Sequence, residues 1–109
     1  MKINELEQLL GLSRANIRFY EKEGLLTPVR KENGYREYSN EDLAVLKKVI
    51  IFRKLGLSLP QIKEILNGHL ELSVALEDNI ADLTERIAEL NGALEVSKTL
   101  RNDAVTNDT

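Results

Sequence analysis

Apolar residues recur at helical spacing from the start of the chain. Ile3, Leu6, Leu9 and Leu10 mark one side of the segment INELEQLLG, which ends at Gly11. A short link follows, Gly11-Leu12-Ser13. The Ser13 hydroxyl can accept a hydrogen bond from the next turn, so it predicts an N-cap. A second helix then runs from Arg14 to about Glu23, with Ile17 turned to the core. It stops at Gly24, which tolerates a left-handed backbone. Two short helices joined by a tight glycine-containing turn make a helix-turn-helix pattern.

The segment LLTPVRKENGYREYS changes character. Pro28 blocks a helix, and Asn33-Gly34 is a strong hairpin signal with Val29 and Tyr35 nearby. Two short strands and a loop, a small wing, are predicted. Ser39 then caps a third helix, with Glu41 and Asp42 in its first turn facing the positive end of the dipole. Leu43, Leu46, Val49, Ile50 and Leu55 give it an apolar stripe, and Gly56 ends it. Ser58 caps a fourth helix with Pro60 in its first turn, Ile62, Ile65 and Leu66 facing inward, and Asn67-Gly68 as the stop.

Beyond it, Leu76, Ile80, Leu83, Ile87, Leu90 and Leu94 are spaced 4, 3, 4, 3, 4, which is a heptad seam. A helix from Leu72 to Arg101 would be ~45 Å long. Polar residues cover its other faces, so the seam must pair. Little chain remains to cover it, which favours a second copy over folding back. The seam residues alone leave the strand direction open. The expected organisation is mainly α with a small β-hairpin wing: a winged helix-turn-helix domain over 1–70, a coiled-coil dimerisation helix over 71–102 and a flexible tail over 103–109.

Charge sharpens this division. The 109 residues carry a net charge of −3, but residues 1–60 hold 11 Lys/Arg against 8 Asp/Glu, and residues 61–109 hold 4 against 10. The first part suits a polyanionic partner and the second does not. There is no cysteine, and His69 is the one histidine, so no metal site or cofactor is expected. No glycine-rich phosphate loop or carboxylate cluster is present, which argues against an enzyme. The N-terminus lacks an apolar signal core and no stretch suits a membrane span, so a soluble, cytoplasmic protein with no membrane partner is expected.

Arg14, Arg18 and Lys22 lie at four-residue intervals along the second helix, a basic stripe that suits the major groove of double-stranded DNA. Ser13, Arg14 and Asn16, near the helix start, are placed to reach base edges; arginine pairs with guanine and asparagine with adenine. The aromatics serve packing, with the Tyr20 hydroxyl available to a phosphate. The wing adds Arg30, Lys31, Tyr35, Arg36 and Tyr38, which can grip the backbone beside the groove. Arg53 and Lys54 offer a further phosphate clamp. The blander reading of each is a solvated surface with ordinary basic decoration.

Together these residues carry a resemblance. Ile17-Arg18-Phe19-Tyr20-Glu21, Gly24-Leu25-Leu26, Pro28, Arg30, Asn33-Gly34-Tyr35-Arg36, Tyr38 and Asp42 resemble the MerR family of transcriptional regulators. Leu55-Gly56-Leu57-Ser58-Leu59 and Ile62 extend the match over about residues 1–70. The resemblance implies a homodimer joined by an antiparallel coiled coil, with recognition helices in successive major grooves of a pseudo-palindromic operator. It implies bending and untwisting of a promoter, with RNA polymerase as a further partner. By position it implies DNA contacts from Arg18 and Arg36, and from Ser13, Tyr20, Tyr35 and Arg53. Many relatives sense a metal through cysteines or a drug through a large C-terminal domain, and this sequence has neither. The residues leave open whether a signal enters elsewhere, whether there is none, or whether the chain is part of a longer one. Two rivals are an architectural protein resembling a phage excisionase, against which the heptad helix argues, and an interaction module working through the coiled coil alone.

Overall fold

Gly11 takes a left-handed backbone, φ 67°, and its N–H closes on the Glu7 carbonyl, ending the first helix, α1 (Ile3–Leu10). Only glycine adopts this without strain, so the chain can turn at once into α2 (Arg14–Lys22). The computed structural model describes residues 1–107, in the order α1, α2, β1 (Val29–Arg30), β2 (Arg36–Glu37), α3 (Asn40–Lys54), α4 (Leu59–Leu66) and α5 (Leu72–Asn107). They divide into two compact units, the first Met1–His69 and the second from Leu70 onward.

Serine starts three of the helices, as expected. Ser13 accepts from the Asn16 N–H at 3.1 Å. Ser39 and Asp42 form a reciprocal capping box on α3, and Ser58 and Gln61 do the same on α4. Asp42 does more. Its other oxygen accepts the Thr27 N–H at 3.1 Å, so this buried carboxylate ties the chain entering the wing to the start of α3.

The wing is an antiparallel pair, with Val29 opposite Glu37 and Arg30 opposite Arg36. Among the described residues only glycines have positive φ, so Asn33-Gly34 does not form the two-residue mirror-image turn. The Gly34 N–H instead donates to the Lys31 carbonyl at 2.9 Å. The Asn33 side chain accepts the Tyr35 N–H at 3.1 Å. Gly34 alone takes the left-handed step, φ 84°.

Two apolar clusters hold the first unit. Leu6, Ile17, Leu26, Tyr38 and Leu46 form one; Val49, Phe52, Leu57 and Ile62 form the other. Tyr20 and Val45 pack against both. Three expected stripe residues stay out of them, Leu9, Leu55 and the half-buried Ile50. Leu9 is 63% exposed, because Ile3, Leu6 and Leu10 already complete the inner side of α1. Leu55 falls half a turn out of phase with Leu46 at ~100° per residue, and Phe52 takes the core position instead.

The second unit is the helix α5, 36 residues and so ~54 Å long. It continues through Asn107, past the point where a flexible tail was expected, because no glycine or proline interrupts it after Gly92. Of that expected tail, Asp108 and Thr109 lie outside the described residues. Leu76 is half-buried, but Ile80, Leu83, Ile87, Leu90 and Leu94 are all between 38% and 69% exposed. No helix among the described residues is long and apolar enough to cross a membrane.

Candidate nucleic-acid interface

The basic stripe of α2 is exposed along its length while Ile17 anchors the helix from below. Arg14 is held: its Nε donates to Glu7 Oε1 of α1 at 3.1 Å. Arg18, one turn on, is exposed and has no ion pair among the described residues. Its charge is therefore uncommitted.

The wing meets α2 through one carboxylate. Glu21 Oε2 accepts from Arg36 Nε at 2.9 Å, and Glu21 Oε1 accepts from the Tyr38 hydroxyl at 3.0 Å. Residues 36 and 38 share one side of the extended chain, so both turn to α2. Glu37 turns the other way. It accepts from the N-terminal ammonium at 2.9 Å and lies 3.6 Å from Lys31 Nζ. The ammonium hydrogen bond, ahead of the Lys31 charge, holds the Glu37 carboxyl below its usual pKa. Tyr38 moves the opposite way. Burial first, and then its bond to Glu21, pushes the phenol up to about 12.

These contacts leave a cavity of about 200 Å³ between the start of α1, the exposed side of α2 and the wing. Lys2, Arg14, Arg18 and Arg36 line it, together with Tyr35, and no carboxylate does. Four cations around one hollow make a site for anionic oxygen, with arginine forks suited to phosphate.

The expected DNA-contacting residues therefore separate. Arg14, Arg18, Tyr35 and Arg36 come together at the cavity. Tyr35 is exposed on the wing. Ser13 and Asn16 are exposed at the start of α2, but the Ser13 oxygen already caps the Asn16 N–H, and neither lines the cavity. Arg53 lies at the end of α3, with Nη1 3.5 Å from the Leu57 carbonyl, away from the cavity lining. Tyr20 is half-buried between the two clusters, where its ring packs at 5.5 Å from the Phe19 centroid. Tyr38 also lines the cavity, but it is 1% exposed, its ring belongs to the core cluster and its hydroxyl is taken by Glu21. Nothing in the sequence marks Lys2; only folding carries the start of α1 to the wing.

Residues 1–69 match the model of the MerR HTH family regulatory proteins. The chain is 39% identical over 106 residues to "Heavy metal-dependent transcription regulator 2" of Rhizobium meliloti, covering 93% of this chain and 72% of that one. Its fold is similar to the N-terminal part of MtaN, the Bacillus subtilis multidrug transporter activator. There the TM-score is 0.81 at 26% identity, covering 92% of this chain and 97% of that one. It is also similar to HiNmlR, a MerR family regulator lacking the sensor domain, solved bound to promoter DNA. There the TM-score is 0.60 at 28% identity, covering 87% and 78%. The relatives named here are transcription regulators rather than enzymes.

Proposed function

This chain belongs to the MerR family and is a DNA-binding transcription regulator, and from that premise we propose that it works as a homodimer on a pseudo-palindromic promoter operator in the cytoplasm. The observation that carries this reading is the carboxylate-free cavity where Arg14 and Arg18 of α2 meet Tyr35 and Arg36 of the wing. Arg18 is the principal contact, because its charge is uncommitted. Arg14 and Arg36 grip phosphate with their remaining N–H groups, and Ser13 and Asn16 face the base edges. Arg53 supplies an outlying phosphate contact. No catalytic role is proposed.

The seam Leu76, Ile80, Leu83, Ile87, Leu90 and Leu94 pairs with a second copy, which removes its exposed apolar side chains from water. Bending and untwisting the promoter, as is typical of the family, would bring its elements into line for RNA polymerase. The deformation is offset by backbone contacts. The heavy-metal dependence in the name of the Rhizobium relative is not carried over. This chain has no cysteine, and its described residues include no group of three or more His, Asp or Glu able to hold a metal.

The test is selection of bound fragments from the source genome, followed by footprinting. A protected inverted repeat between promoter elements is expected. Affinity for it should fall with salt at about −0.9 per neutralised phosphate on a log–log plot. Arg18→Ala should abolish operator binding in gel shift while the dimer persists. Full retention of affinity by that variant would remove the assignment of α2 as the recognition helix.

A further inference from the structure

Glu21 poses a problem for a DNA-binding surface. It places a carboxylate on Arg36, beside a cavity whose charged lining residues are all cations. A negative charge there repels phosphate, so on charge alone the surface would bind DNA better without it. The geometry gives the carboxylate another task. Its two oxygens are divided between two residues of the wing, 15 and 17 positions further along the chain. Glu21 Oε2 takes only Nε of Arg36. Four N–H donors remain on the two terminal amino groups of that guanidinium, which lines the cavity. Glu21 Oε1 meanwhile takes the hydroxyl of Tyr38, whose ring belongs to the core cluster that also holds Ile17 of α2. The wing strand is thus fastened to the recognition helix at a charged point and at a packed point.

We propose that Glu21 is a positioning residue for sequence-specific DNA binding: it fixes the angle of the wing to α2 and aims Arg36 at the backbone, without touching DNA itself. This rests on the DNA-binding reading above. Specific binding requires the helix in the groove and the wing on the flanking backbone at the same time, in one register. Binding by charge alone accepts any wing angle. The proposal therefore predicts a loss of specific binding with no loss of binding by charge alone. A residue needed only for stability would weaken both together.

The experiment compares two duplexes by fluorescence anisotropy. One is the tightest sequence that the wild-type chain selects from a randomised pool; the other is a scrambled duplex of the same length. Glu21→Gln keeps an acceptor for Tyr38 but removes the charge that holds Arg36. It should bind the selected duplex about tenfold more weakly, the scale of one lost charge-assisted contact, and the scrambled duplex no more weakly than wild type. Arg36→Lys should show the same loss of preference, because one nitrogen cannot both pair with Glu21 and reach the cavity. Circular dichroism melting checks that each variant folds; should Glu21→Gln not fold, Arg36→Lys decides. Equal weakening on both duplexes, or an unchanged preference, overturns the proposal. A wild-type chain that selects no sequence overturns the DNA-binding reading and this inference with it. Selection by wild type with preference kept in both variants overturns the positioning role alone.

Discussion

The first 69 residues and α5 use the same amphipathic code and complete it differently. In the first unit, nine large apolar side chains are buried in two clusters, and neighbouring helices of the same chain cover each stripe. In α5 the seam from Ile80 to Leu94 is regular enough to define a face, yet every residue on it is exposed. A globular stripe tolerates irregularity because cover comes from several directions; α3 exchanges Leu55 for Phe52 without loss. A seam that repeats at strict 3–4 spacing fits a second helix lying along it. The contrast separates what the chain stabilises alone from what a second copy would cover in the proposed dimer.

The largest effect should come from a charge in the seam. Ile87→Asp places a carboxylate at its centre and should convert the dimer to monomer in analytical ultracentrifugation. Operator affinity should fall by roughly a hundredfold, because two linked half-sites bind far more tightly than one. The first unit should remain folded by NMR. If the dimer survives, α5 is not the pairing surface and the contrast breaks.

The reciprocal change acts on the other side. Ile17→Ala opens a void beside Leu6, Tyr38 and Leu46 and should cost the first unit about 2–5 kcal/mol in denaturant unfolding. The dimer should be unaffected.

A smaller effect belongs to pH. The Tyr38 phenol is pushed up to about 12 when folded, against an ordinary value of 10.0. A raised folded value means that the neutral form is stabilised by folding. That contribution is complete below pH 10.0 and is lost as pH rises through about 12. The melting temperature of the first unit should therefore fall over that window, and Tyr38→Phe should remove this part of the fall.

The smallest effect tests α5 itself. Gly92 lies inside the helix, and a Cβ there would meet nothing within 4 Å in the single chain. Gly92→Ala should raise helix stability by about 1 kcal/mol in thermal melts followed by circular dichroism. A loss of stability instead would mean that a partner approaches the backbone at that point.

Much of this was legible in the residues. Ser13, Ser39 and Ser58 marked helix starts because a hydroxyl cap acts over a few residues, and Gly11 marked a stop for the same local reason. The hairpin was legible at Asn33-Gly34, though its turn was not: Asn33 spends its side chain on the Tyr35 N–H and stays out of the left-handed region. The site was legible only in part. Arg18 and Arg36 stand out as basic residues on a helix and a hairpin, but no local pattern marks Glu21. Its partners lie 15 and 17 residues away, beyond the reach of any helical or strand period.

The order of elements, the caps, the division of charge and the seam could all be read from the residues alone, because each follows from contacts between near neighbours or from simple repeats. Packing between distant segments makes Tyr38 core, holds Arg36 but not Arg18, and brings Lys2 to the basic cavity. Those outcomes depend on which segments meet once Leu6, Ile17 and Leu46 have packed. Hydrophobic burial sets that meeting without regard to separation along the chain.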